Sequence, residues 1–149
     1  MSYQHILVAI DLSDESKQVL EKAQQLGQAN SATVSAVTVV KPLTQVYGGL
    51  DMAPISSGAI SFEEEATKQA RDQLEELGRE FGIEAARAHV VLGAPAHEVR
   101  QCAQELGADL IVIGTHGRHG LGLLLGSTAN GVLHGVDCDV LAVRVSIDD

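Results

Sequence analysis

Five short runs rich in aliphatic and β-branched residues constrain this chain most, because four of them are followed by a longer stretch of helical period. The runs are His5–Ile10 (HILVAI), Ala32–Val40, Ala88–Gly93, Asp109–Gly114 and Asp139–Val145. A near-continuous apolar run such as HILVAI suits a strand covered on both faces, as in a parallel sheet, rather than one with a solvent side. Strands that alternate with helices in this way define an α/β domain.

The helical stretches carry their own start and stop signals. After Asp11 the period changes: Val19, Leu20, Ala23, Leu26 and Gly27 share one helix face, and Ser13 or Asp14 is positioned to cap it. Pro42 ends the second strand run. Leu43–Ile60 has no period and reads as a long loop, either a lid or contact surface or a plain connector. Ser61 and Glu64 have capping-box spacing, opening a helix with Phe62, Ala66, Ala70, Leu74, Leu77 and Phe81 on its apolar face. Pro95 suits a first helical position, Val99, Cys102, Ala103 and Leu106 form the buried stripe, and Gly107 closes that helix. A last short helix is expected from Ser127 to Leu133. Right-handed crossovers between parallel strands make a doubly wound sandwich the economical arrangement, with 149 residues forming a single domain over 1–149.

Composition narrows the partners. Aromatic residues are only 3% of the chain, so the core must be built from Val, Leu, Ile and Ala. Acidic residues outnumber basic ones 20 to 10 and the basic ones are scattered, a field that repels nucleic acid and anionic membranes. A small nucleotide is still admissible, because backbone N–H groups can hold its phosphates. Cys102 and Cys138 have neither disulfide-framework nor zinc spacing, and Cys102 lies on a helix's apolar stripe as a small core residue. The opening MSYQHILVAIDLS has no charged-then-apolar leader and no run reaches membrane-spanning length, so a cytoplasmic protein is expected.

The densest candidate for chemistry is GTHGRHGLGLLLGST, which follows the fourth strand run directly and holds Gly114, Gly117, Gly120, Gly122 and Gly126. Glycines turn through positive φ and admit close approach to a ligand, so these amides could form an anion nest. Ser127 and Thr128 add hydroxyl donors at a helix start, whose dipole favours phosphate. The alternative is a glycine-rich connection with Ser127 as an ordinary N-cap. In an open parallel sheet, the ligand crevice lies at the carboxyl ends of strands whose crossovers diverge, which would bring this turn beside Asp11–Ser13. The lysine-bearing GxxxxGK[ST] loop is absent, as is a GxGxxG after the first strand.

Taken together, HILVAIDLSDES, GAPAHEV and DLIVIGTHGRHGLGLLLGS running on to DVLAVRV resemble the universal stress protein family, single-domain bacterial UspA-like members in particular. The resemblance spans nearly the whole chain. It implies a five-stranded parallel sheet in order 3-2-1-4-5 with helices on both faces, an adenine-nucleotide alpha-hydrolase-like fold, and a homodimer paired through the last strand. Nucleotide-binding members carry Gly-x2-Gly-x9-Gly-Ser/Thr, matched here by Gly114, Gly117, Gly126 and Ser127, but with eight residues between Gly117 and Gly126. The resemblance also implies that Asp11 approaches the ribose and Val39 offers backbone groups to adenine, whereas a purely local reading has Asp11 capping the following helix. ATP is the implied nucleotide, with Mg carried by its phosphates, and Arg118 could reach a phosphate or remain a surface charge. Asp139 stands where many relatives have proline before the last strand.

The functional readings are an ATP-binding stress-response regulatory module acting on an unidentified protein partner, or a UspA-type dimeric scaffold without nucleotide. An enzyme is the third: nucleotidyl transferases on related folds need a His-x-Gly-His turn, which DLSDES lacks, leaving slow ATP hydrolysis or autophosphorylation at Ser127 or Thr128. His116 and His119 are three apart, a spacing seen in metal sites, but with His134 further on they lack a nearby third ligand of defined spacing, and His97-Glu98 lacks the second histidine of a zinc protease motif.

Overall fold

Every predicted strand is present and all five join one parallel sheet, in the order β3-β2-β1-β4-β5. The structure, a computed structural model, describes residues 2–42, 57–115 and 127–145. Its elements are β1 (His5–Ala9), α1 (Ser16–Asn30), β2 (Thr33–Val40), α2 (Ser57–Glu80), a short 3-10 turn (Ala85–Arg87), β3 (Ala88–Leu92), α3 (Pro95–Leu106), β4 (Leu110–Gly114), α4 (Ser127–Leu133) and β5 (Asp139–Val143).

The period of two along each strand divides the core into two layers. Ile6, Val8, Ala36, Leu110 and Val112 face α1 and α2, packing with Val19, Leu20, Ala23 and Leu74. Leu7, Ala9, Val37, Ile111 and Ile113 face the other way, against Val99, Cys102 and Ala103 of α3 and Val132 of α4. Two helices therefore cover each face, which is why the central strands read as unbroken apolar runs. Burial, with the Glu105 and Glu98 carboxylates adding to it, pushes the Cys102 thiol up to about 11, so this cysteine behaves as a core residue and not a nucleophile.

Three local expectations are corrected. Helix α1 begins at Ser16, after Glu15 as N-cap, and neither Ser13 nor Asp14 caps it. Ser13 is instead drawn back to Asp11, whose carboxylate competes successfully for its N–H and hydroxyl. Helix α2 begins at Ser57, so the expected loop ends before Ile60 and Ser61 lies inside the helix. The single Gly58 costs about 1 kcal/mol in a helix, too little to stop propagation through Ala59 and Ile60. Residues 43–56 of that expected loop lie outside the described residues. Phe62 is 63% exposed rather than on the packed face, because contact with the core begins further along, at Ala70 and Leu74. The stop signal of α3 does hold: Gly107 is left-handed at φ 69, with its N–H directed to the Ala103 and Gln104 carbonyls.

At the amino end of the sheet, Asp109 ties β4 to β1. Its carboxylate accepts from the Gln4 N–H at 2.9 Å and the His5 N–H at 3.0 Å. Partial desolvation pushes this carboxyl up, but the backbone N–H groups of Gln4, His5 and Asp109, with the His5 ring adding to them, outweigh it and hold the group below its ordinary value. Because the folded form binds a proton less readily than the unfolded chain, the stabilisation is complete above about pH 4 and is lost as pH falls through the folded value. Asp109→Ala is expected to destabilise by about 1–2 kcal/mol at pH 7 and to have a smaller effect at pH 3, read by urea denaturation at both values.

Candidate functional site

The ladders align the carboxyl ends of β2, β1 and β4. Ala9 pairs with Val37 on β2 and with Ile113 on β4. β1 ends at that level, so Asp11 lies in the turn two residues beyond Ala9, while Val39 and Thr115 lie two residues beyond Val37 and Ile113. The chain leaves β1 towards β2 and leaves β4 towards β5, so the crossovers diverge between β1 and β4. A cleft opens at such a point because no crossing element covers it.

Each strand end contributes a different group there. Backbone groups alternate sides along a strand, so Val39 turns its N–H and C=O to the same side as Val37, whose carbonyl accepts from the Ile10 N–H at 3.0 Å. Val39 lies two residues beyond the last β1–β2 pair, at the level where β1 has already turned away. Gly114 is the last residue of β4. The next residue, Thr115, donates its N–H to the Val143 carbonyl at 2.9 Å and accepts the Val145 N–H on its hydroxyl at 3.3 Å, fastening the end of β4 to β5.

Asp11 organises the turn between β1 and α1. Its Oδ1 accepts from the Ser13 N–H at 3.0 Å, the Ser13 hydroxyl at 2.6 Å and the buried Ser16 hydroxyl at 3.2 Å. These bonds hold Leu12 at φ 63, a left-handed conformation that a leucine adopts at a cost of about 1–2 kcal/mol. The local expectation that Asp11 caps the helix is corrected: α1 opens after Glu15 without a side-chain cap, and the Asp11 carboxylate instead shapes the turn before it.

Of the other predicted positions, Ser127 opens α4 and Thr128 is half-buried in its first turn. Gly117, Arg118 and Gly126 lie outside the described residues, as do His116, His119, Gly120 and Gly122. Among the described residues, no group of three or more His, Cys, Asp or Glu side chains is arranged to hold a metal ion. His97 Nε2 stands 4.0 Å from the Glu98 carboxylate on an exposed part of α3.

The placement of α4 depends on residues that sequence reasoning did not single out. Arg100 of α3 donates from Nη1 to the Gly131 carbonyl at 2.7 Å. A Cβ at Gly131 would fall 2.6 Å from the Ala96 Cβ, and one at Gly135 would fall 2.8 Å from Cδ and Nε of Arg100. The two glycines therefore let α3 and α4 approach closely. Their four-residue spacing after Ser127 was the available signal, but it needs the long-range partner on α3 to acquire meaning. Asp139 accepts from the Tyr3 hydroxyl at 2.7 Å, which raises the Tyr3 phenol above its ordinary value. It joins the amino-terminal segment to the start of β5.

Comparison with known proteins identifies the family. The universal stress protein family matches residues 2–144. Universal stress protein A homolog 1 of Coxiella burnetii is 43% identical over 143 residues, covering 96% of this chain and 97% of the relative. Homolog 2 of the same organism is 34% identical over 145 residues, with 97% of each covered. The structure of UspA from Lactobacillus plantarum superposes with a TM-score of 0.81 at 22% identity, over 97% of this chain and 99% of that one. A universal stress protein crystallised in complex with cAMP superposes with a TM-score of 0.67 at 26% identity, over 98% of this chain and all of the other. No helix among the described residues is long and apolar enough to cross a membrane. With its strand order, adenine-nucleotide alpha-hydrolase-like fold and end-to-end sequence similarity, the chain belongs to the universal stress protein family.

Proposed function

We propose that this protein is a stress-response regulatory module that binds ATP in the cleft between β1 and β4. What supports the reading is the divergence of the crossovers between β1 and β4, with Asp11 in the turn after β1, Val39 near the carboxyl end of β2, and Gly114 ending β4 at the start of a glycine-rich turn. In this reading the donor set would serve the nucleotide part by part. Val39 supplies backbone groups suited to a base edge, and Asp11 is suited to a ribose hydroxyl while its charge turns phosphates towards β4. Gly114, Gly117, Gly126, Ser127, Thr128 and Arg118 are the groups that would hold the phosphates, with Mg carried by the phosphates rather than by a protein metal centre. The cAMP complex of a relative supports an adenine nucleotide as the class of ligand.

Binding, not turnover, is the proposed role, exercised by a cytoplasmic homodimer on a protein partner. A second reading, a dimeric scaffold without nucleotide, is favoured by the three donors already engaged on Asp11 Oδ1 and by the eight-residue spacing from Gly117 to Gly126. Calorimetry with Mg-ATP separates the two. The wild type should show saturable heat, and Gly117→Val should weaken binding by about ten-fold or more, equivalent to roughly 1.4 kcal/mol. No heat from concentrated wild-type protein would leave the scaffold reading in its place.

A further inference from the structure

Helix α4 is too short to fix its own position. Its seven residues make about two turns, fewer than an isolated helix needs to hold together in water, so its contacts set where it lies. Val132 is fully buried and packs α4 onto the sheet, in the layer that holds Val99 of α3. A single apolar anchor sets the depth, and the position along the helix axis must come from elsewhere.

It comes from α3. Ala96 meets Gly131 and Arg100 meets Gly135, contacts that lie four residues apart on each chain segment, so the two are matched turn for turn. A Cβ at Gly135 would fall 2.8 Å from Cδ and Nε of Arg100 and 3.0 Å from its Cζ, so the arginine side chain lies directly against that glycine. From there Nη1 donates to the Gly131 carbonyl at 2.7 Å. The last four carbonyls of a helix have no partner within it. In α4 the Val132 carbonyl accepts from the Gly135 N–H at 3.2 Å, and Arg100 supplies the partner of Gly131. A cation also complements the negative end of the helix dipole, and α4 has no basic residue in its own last turn. Among the described residues, no carboxylate lies within ion-pair distance of Arg100, so its guanidinium is committed to α4.

Resting on the ATP reading above, we infer that Arg100 is a positioning residue for the phosphate end of the nucleotide and sets the site's preference for a triphosphate over a monophosphate. Thr128 stands in the first turn of α4, about 4.5 Å along the axis from Gly131, so a shift at Gly131 carries Thr128 with it. Val39 in β2 and Asp11 in the turn after β1 belong to other elements, so the groups for base and ribose stay in place. The more phosphates a ligand carries, the more of its binding depends on Arg100. Calorimetry of the full chain with Mg-ATP and with AMP tests this, well below the melting midpoint of every variant. Arg100→Met keeps the apolar stem against Gly135 and removes the donor. It should weaken ATP about ten-fold, the scale of one charge-assisted hydrogen bond, and AMP by less than about two-fold. Arg100→Lys keeps a cationic donor and should restore part of the ATP affinity. Gly135→Ala, whose methyl displaces the arginine from the Gly131 carbonyl, should lower the ratio of ATP to AMP affinity with Arg100 intact. An unchanged ratio in Arg100→Met, or equal loss of both ligands, would overturn the positioning role and leave the ATP reading standing. A wild type that binds no ATP would overturn both.

Discussion

Gly131→Val is expected to destabilise the protein by about 3 kcal/mol, the upper end of the range for overpacking, and to lower the midpoint of thermal unfolding by roughly 6–12 °C. The closest atom to an added Cβ is the Ala96 Cβ at 2.6 Å. A methyl fixed to a helix backbone cannot swing aside as the end of a long side chain could, so the two helices must separate. Valine is a better helix former than glycine by a few tenths of a kcal/mol, which is far too little to offset the clash. Separation would also lengthen the 2.7 Å bond from Arg100 to the Gly131 carbonyl. Combining Gly131→Val with Ala96→Gly should recover part of the loss, leaving about 1 kcal/mol from glycine inside α3. An unchanged melting midpoint in the single variant, followed by circular dichroism, would mean that α3 and α4 are not in close contact.

Ile111→Ala should have the second large effect, about 3–4 kcal/mol by urea denaturation. Ile111 is fully buried in β4, between β1 and β5, and packs in the layer that contains Leu7, Val99 and Cys102. Truncation there removes apolar burial and leaves a cavity that two neighbouring strands and a helix cannot readily close. Ile111→Val should cost about 0.5–1.5 kcal/mol, giving a graded series. Phe62→Ala should stay within about 0.5 kcal/mol, because that ring is 63% exposed. A Phe62 effect comparable to that of Ile111 would contradict the placement of α2.

The contrast between Ile111 and Phe62 shows where the sequence was legible. Strand runs such as Leu110–Gly114 carry their information locally, since an aliphatic run bounded by turn residues has few alternatives in an α/β chain. Pro95 and Gly107 were legible for the same reason, each specifying a backbone conformation by its own chemistry. Phe62 has the right period but is exposed, and period alone cannot say where a helix meets its sheet. Ser61 and Ser13 carried genuine capping chemistry that lost to neighbours: residues 57–60 continued the helix, and Asp11 captured Ser13. The Arg100–Gly131 contact joins residues 31 positions apart, so nothing in either stretch announces it.

At the proposed cleft, Asp11 and Val39 entered through family resemblance; β1 ends opposite Val37, so Asp11 lies in the turn beyond the sheet while Val39 is still within β2. Thr115 was passed over because it sits among glycines, and its role depends on β5, which arrives much later in the chain. Asp139 acquires a local purpose in its bond to Tyr3.

The most direct measurement of the central claim is an amide-resolved NMR titration of the isotopically labelled protein with Mg-ATP. The account predicts saturable shifts concentrated at Ile10–Ser13, Val39, Gly114 and Thr115, with the amides of Gln4, His5 and Asp109 at the opposite end of the sheet unmoved. Shifts confined to β3 and α3, or a spectrum that does not change at millimolar nucleotide, would contradict it.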